Sequence, residues 1–326
     1  MTRTMINALL LLMACGVLAF LGVTRGTLPI SASQLLALIN GEAARNVQLI
    51  VLEWRLPRVM MALLIGAALG VSGAIFQSLL RNPLGSPDIL GFNTGAYSGV
   101  LVALVLFQQN MEGMTLAALA GGLLTAGVVW LFSWRNGVET FRLIIVGISV
   151  RALLMALNSW LIISASLEAA LSAGLWSAGS LNGITWAKTM PVIAVLLLAL
   201  LATGMLARHM RLLEMGDDTA CALGVPVERS RLMLMLTGVI LTAASTALVG
   251  PISFIALLAP QIARRLSGGT KGALPLTALC GALLLTAADY AAQHFFLPYQ
   301  LPVGVITVSL GGLYLIALLV REARRQ

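Results

Sequence analysis

Residues 59–80 read VMMALLIGAALGVSGAIFQSLL, with no charged residue between Arg58 and Arg81. A helix needs about 20 apolar residues to cross a bilayer, and this run meets that length. It also carries GAALGVSGA (66–74), small residues of the kind that let helix backbones approach closely where lipid offers no hydrophobic drive for association. The run has counterparts along the chain. Residues 4–24, 113–134 and 189–207 are uncharged, and the longer stretches 232–263 and 290–320 are interrupted at Pro251 and at PYQLP (298–302). Across 326 residues, 59% are hydrophobic and only 10% charged, with a mean hydropathy of +0.97. Soluble domains carry about a quarter charged residues. The fold class expected is therefore all-α and polytopic, one transmembrane domain over residues 1–326, and a soluble enzyme is excluded.

Apolar length places ten transmembrane helices, near 5–23, 56–80, 93–108, 115–134, 143–164, 189–206, 232–249, 253–265, 273–292 and 303–320. A short surface helix is expected at Ala32–Ile39, and the Gly- and Ser-rich segment 166–187 outside the core. Leu12-Met13-Ala14-Cys15 resembles a lipoprotein cleavage site, but the apolar run continues through Val23, as in a retained span. Ten spans put both termini on one side. That side receives Arg3, Arg81, Arg135, Arg142, Arg208, Arg211, Arg229, Arg231, Arg264, Arg265, Lys271, Arg321, Arg324 and Arg325. The other face receives only Arg25, Arg45, Arg55, Arg58 and Lys188. The positive-inside bias makes the first side the cytoplasm. The net charge of +8 thus sits at span ends rather than on one basic face, which argues for lipid and against nucleic acid as partner.

Catalytic signatures are missing. There is no phosphate-binding GxxxxGK[ST]; SGGTKG (267–272) lacks the spacing. The two histidines, His209 and His294, fall on opposite sides, and Cys15, Cys221 and Cys280 have no metal-ligand spacing. Any energy must come from a partner or an ion gradient. For the latter, Asp289 near the outer end of a span is the candidate proton carrier of a secondary transporter, or a structural acid. Arg151 lies nine residues beyond Arg142, about 13 Å deeper in a helix. It either lines a path for anionic cargo or forms a structural ion pair. Asn93, Tyr97, Asn158 and Trp160 are further polar or aromatic residues within helices, readable as path lining or as interhelical bonds.

One hydrophilic stretch stands apart: LLEMGDDTACALGVPVERSR (212–231). Asp217 and Asp218 suit the positive end of a short helix starting after Gly216. Gly224 can take the left-handed closing conformation, and Pro226 suits the start of a second short helix, Val227–Arg231. Ala220, Leu223 and Val225 would form an apolar knob ringed by Asp217, Asp218, Glu228 and Arg229. Such a knob either docks on a cytoplasmic partner or is a well-capped connection.

The chain resembles the membrane subunits of the iron-siderophore and vitamin B12 class of ABC importers. The resemblance is carried over essentially the whole length by EWRLPR (53–58), GAALGVSGAIFQSLLRNPLGSPDILGFNTGA (66–96), GDDTACALGV (216–225), GPISFIALLAPQIARR (250–265) and LPVGVITVSLGG (301–312). It implies ten helices per subunit, a second membrane subunit, here expected to be a paralogue, two cytoplasmic ATPase subunits and a periplasmic siderophore-binding protein. No cofactor is implied on this chain; ATP and Mg belong to the ATPase. The matching segment 212–231 would form the coupling helices, with Glu214, Gly216, Asp217, Asp218, Ala220, Leu223, Gly224, Val225, Pro226 and Arg229 contacting the ATPase. Arg55 and Arg58 would meet carboxylates of the binding protein; read as residues alone, they also suit anchoring of the helix mouth beside Trp54. Some relatives add a cation late in the ninth helix, where this chain has Gln293-His294. The resemblance implies transport of a ferric siderophore, ferric enterobactin foremost, from periplasm to cytoplasm across a bacterial inner membrane.

Overall fold

The computed structural model describes residues 3–26, 28–108, 111–134, 140–268, 274–296 and 299–323. Arg135, Lys271, Arg324 and Arg325 lie outside these residues, as does most of the 267–272 segment and Pro298. The described residues are helical with irregular connections. In chain order the helices are α1 (Arg3–Thr24), α2 (Ala32–Ile39), α3 (Arg45–Gln48), α4 (Leu56–Leu79), α5 (Phe92–Leu101), α6 (Met111–Ser133), α7 (Thr140–Ser164), α8 (Leu167–Ser177), α9 (Trp186–Leu213), α10 (Asp217–Ala222), α11 (Val227–Val249), α12 (Ile255–Leu266), α13 (Leu274–His294) and α14 (Val303–Ala323).

Among the described residues seven helices are long and apolar enough to cross a membrane, and Phe92–Leu106 and Val303–Ala317 are shorter apolar helices. With α12 they account for ten, as expected. The twelve residues of α12 span only about 18 Å, well short of the roughly 30 Å hydrocarbon core. Its Ile255, Ala256, Leu258 and Ala259 are all buried, so it is a half-length helix sheltered by protein. Irregular backbone at such depth is tolerated where protein covers it.

Three boundaries differ from expectation. The second span does not begin at Leu56: α3 runs through a π-helical stretch, Leu49–Arg55, directly into α4. Pro57 lies at the change of winding from π to α, where, lacking an N–H, it closes no intrahelical bond of its own. The sixth span runs on to Leu213. Val227–Arg231 is no separate short helix but the first turn of α11. The capping box Ser31–Gln34 starts α2 where expected.

α4 is the axial helix of the bundle, packed against α13, α11, α12 and α9, while α5 and α6 form a second close pair. Small residues set these distances. A Cβ at Gly66 would lie 2.4 Å from the Gly281 carbonyl oxygen, and one at Gly73 would lie 1.7 Å from that of Ala256. The GAALGVSGA stretch thus brings α4 into backbone contact with α13 and α12, the gain being dispersion between close-packed backbones. Ser72 bonds Thr242 at 2.7 Å, joining α4 to α11. By contrast α7 and α9 leave large apolar side chains outward, among them Leu153, Ile163, Leu198 and Met205.

Candidate functional sites at the two ends of the bundle

The 24 residues of α4 separate two polar sites by about 36 Å: one beyond its C-terminus at Arg81, the other at its N-terminal Arg58.

At the Arg81 end, α9 is followed by α10 and, after Gly224 at φ 79°, by α11. Gly216 also has positive φ, 115°, in the region that favours glycine. The closure is local: Gly224 N–H donates to the Cys221 carbonyl at 2.9 Å and Val225 N–H to that of Ala220 at 3.0 Å. These contacts turn Ala220 and Val225 inward, 0% and 6% exposed, while Leu223 remains 57% exposed. The expected knob of Ala220, Leu223 and Val225 is therefore corrected. The outward apolar residues are Leu223 and Met215, the latter passed over because it lies in the connection before α10, with no helical periodicity to reveal its side. Asp218, Gly224, Pro226 and Arg229 are exposed.

The acids of this segment divide by partner. Asp217 accepts from Arg81 Nη2 at 2.6 Å and from Arg231 Nη2 at 2.9 and 3.0 Å. Arg81 also donates to the Leu213 carbonyl at 3.2 Å. Its own backbone is left-handed, φ 46°, a conformation that costs about 1–2 kcal/mol outside glycine. Arg231 is only 9% exposed and also lies 3.6 Å from Glu228. Glu214 shares a small cleft with Arg264 and Gln77, and the Arg264 guanidinium donates to the Gln77 side chain. Asp217 thus ties α10 to the ends of α4 and α11, while Asp218 points to solvent.

At the other end, Arg55 donates to the carbonyls of Val23 at 2.8 Å and Leu28 at 2.6 Å, fixing the turn after α1. Arg58 forks onto Asp289, Nε to Oδ2 at 3.0 Å and Nη2 to Oδ1 at 2.7 Å, and its Nη1 reaches Asn182 Oδ1 at 2.5 Å. Gln293 Nε2 completes the Asp289 carboxylate at 2.7 Å. The pair is 15% and 4% exposed by side chain. Asp289 is therefore held as a structural counter-ion, and the bidentate geometry is the one that favours Arg over Lys. Both charges were visible in the sequence as ionisable residues near outer span ends, but their pairing across 231 residues was not.

The five expected path residues are not brought onto one surface. Asn93 accepts from Thr246 at 2.8 Å and donates to Asp88, an interhelical bond. Tyr97 stacks on Trp176 with centroids 6.0 Å apart. Asn158 is buried on α7, whereas Trp160 on the same helix is 59% exposed. Arg151 packs its Cβ against Gly91 beside Asp88. Burial pushes the Asp88 carboxyl up to about 6, against the pull of the Arg151 guanidinium and the Asn93 amide. Among the described residues no group of His, Cys, Asp and Glu could hold a metal ion.

A bundle of apolar helices with its charges gathered at the two ends is a polytopic helical membrane protein. Residues 11–321 match the FecCD transport family, and the chain belongs to that family. It is 64% identical over 324 residues to the ferric enterobactin transport system permease protein FepG of Escherichia coli K12, covering 99% of this chain and 98% of that one. It is 34% identical to the iron(3+)-hydroxamate import system permease protein FhuG of Bacillus subtilis 168, over 94% of each chain. Its fold matches an inward-facing metal-chelate type ABC transporter with a TM-score of 0.85 at 26% identity, over 98% of this chain and 99% of that one. The chain is a multi-pass permease of the ABC-importer kind, and the gradient-driven reading built on Asp289 falls.

Proposed function

We propose that the chain is one of two membrane subunits of an ATP-driven importer that carries a ferric siderophore of the ferric enterobactin type from periplasm to cytoplasm across a bacterial inner membrane. The observation that carries this reading is the 64% identity to the E. coli ferric enterobactin permease along nearly the full length of both chains. The α10 end, with Met215, Asp218, Leu223, Gly224, Pro226 and Arg229 outward, faces the cytoplasm and docks on one of two ATPase subunits that bind ATP and Mg. Both termini lie on that side, in keeping with the distribution of arginines. The end that carries Arg55 and Arg58 faces the periplasm and receives the siderophore-binding protein. The second membrane subunit is a paralogue. Arg151 stands as a path residue for anionic cargo, while Asn93, Tyr97, Asn158 and Trp160, which the bundle keeps apart, form no single lining with it.

The test is complementation. An E. coli strain lacking its own ferric enterobactin permease regains growth and ⁵⁵Fe-enterobactin uptake when this chain is supplied, and uptake stops on ATP depletion. Restored uptake that persists without ATP and collapses with the proton gradient would overturn the importer mechanism. Uptake of a hydroxamate chelate instead would overturn the cargo.

A further inference from the structure

α5, α6 and α7 leave between them an apolar groove that neither polar site uses. Its floor is α5, with Gly95, Gly99 and Ala103, and α6 and α7 flank it as walls. The floor lies close against the α6 wall because both helices carry small residues there. A Cβ at Gly99 would come 2.1 Å from the Ala117 carbonyl oxygen, and one at Gly121 would come 2.3 Å from that of Gly95. α7 meets α5 through bulkier side chains, Leu161 and Leu101 sharing one buried cluster. The space left over is the groove, 590 Å³ in volume, with Phe107, Leu124 and Leu153 exposed along it.

Nothing in the groove calls for water or a polar cargo. Among the described residues that line it none is charged. Its two hydroxyls are spent within their own helices, Ser98 donating to the Thr94 carbonyl at 2.9 Å and Thr125 to that of Gly121 at 2.8 Å. A cavity of this kind stays dry, since a bound water needs several polar partners. The groove is also too narrow for a helix. It follows α6 over residues 117–128, about 16 Å of rise, so its volume corresponds to a channel about 7 Å across, against roughly 10–12 Å for a helix with its side chains. Its length instead matches half of the roughly 30 Å hydrocarbon core, which is one leaflet. The walls belong to apolar spans whose outward residues beyond the groove, Leu116 and Leu131 on α6 and Ile163 on α7, are exposed. The groove therefore opens onto hydrocarbon, and a void there would forfeit dispersion contacts along its whole length.

The course of the helices assigns the leaflet. Thr115, near the start of α6, shares a cavity with Asn182, and Asn182 accepts from Arg58. The mouth at Phe107 and Ala117 thus lies toward the Arg58 end, while Val128 and Val150 lie deep.

We propose that this groove is a site for one phospholipid of the leaflet at the Arg58 end, held by an acyl chain lying along α5 between α6 and α7 and not by its headgroup. The site is independent of the cargo and rests only on the bundle's place in a bilayer.

The test uses the full-length protein with its co-purifying subunits in nanodiscs that contain phosphatidylethanolamine with a diazirine on one acyl chain. Irradiation is followed by peptide mapping in a mass spectrometer. A carbene near the terminal methyl labels residues 121–128 and 150–154, and one near the headgroup labels Phe107 and Ala117. Both exceed the labelling of the lipid-facing Leu198 and Met205 of α9 at least about fivefold, as a retained chain does over a freely exchanging one. Ala120→Phe and Leu153→Trp, which fill the groove from opposite walls, each lower its labelling at least about fivefold through lost contact length and leave α9 unchanged. A phosphatidylglycerol probe gives the same pattern within about twofold, because no basic residue is there to favour an anionic headgroup. Groove labelling no stronger than that of α9, or labelling that survives both substitutions, would overturn the site. A reversed depth order would overturn the leaflet, and a preference for phosphatidylglycerol above about tenfold would overturn holding by the chain. If Ala120→Cys cross-links to a second membrane subunit and the groove takes no label, the groove is a subunit interface and the proposal is wrong.

Discussion

Replacing Asp289 by Leu takes away both oxygens that hold Arg58, at 3.0 and 2.7 Å, and leaves a guanidinium only 15% exposed with Asn182 as its remaining contact. Removing one member of a buried ion pair costs about 3–5 kcal/mol, because the other charge stays desolvated and uncompensated. Arg58 lies at a helix mouth and can move its head toward water, which places the expected loss near the lower bound, about 3 kcal/mol. Arg58→Met costs at least as much, since it strands Asp289, 4% exposed, further from solvent. The double variant Arg58→Met/Asp289→Leu removes both desolvation penalties and is expected within about 1–2 kcal/mol of wild type. The assay is a double-mutant cycle on reversible unfolding in mixed SDS micelles, paired with ATP-dependent ferric siderophore uptake in proteoliposomes. A coupling of several kcal/mol with uptake retained in the double variant is the expected result. Single variants that each lose under about 1 kcal/mol, the value for an exposed pair, would refute the structural role. A stable double variant with no uptake would return Asp289 to the transport step.

Four further outcomes concern other positions in the bundle. Asp217→Ala releases α10 from Arg81 and Arg231; with Asp217 44% exposed, the stability loss is held to about 1–2 kcal/mol, but ATP hydrolysis proceeds without uptake, whereas Asp217→Glu retains coupling. Leu223→Asp, at an outward position, leaves the fold intact and abolishes co-purification of the ATPase subunit. Gly73→Ala drives a methyl to 1.7 Å from the Ala256 carbonyl oxygen and costs about 3 kcal/mol or more, read as loss of folded protein in detergent. Gly127→Ala, with nothing within 4 Å of its Cβ, is neutral or gains up to about 1 kcal/mol.

Features that depend on length and local chemistry are legible in the chain. Uncharged runs located the spans, the surface helix was placed at Ala32–Ile39, Gly224 closed α10 in the left-handed region, and the arginine distribution gave each end a distinct polar character. These are properties of a residue and its near neighbours, so a linear reading reaches them. What it could not reach was the side to which each residue turns. In a helix that is apolar all round, hydropathy has no contrast between lipid and protein; in the 212–231 connection the six residues of α10 are too few for a periodicity that would show Ala220 and Val225 turning inward while Leu223 and Met215 point out. Nor does a linear reading show that Asn93 would meet Thr246, or that Trp160 would face away from Asn158. The pairing of Arg58 with Asp289 was decided only when backbone contact at Gly66 and Gly281 fixed α13 against α4. Electrostatic pairing falls off over a few ångströms, and the helix packing that sets those ångströms lies between residues more than two hundred positions apart.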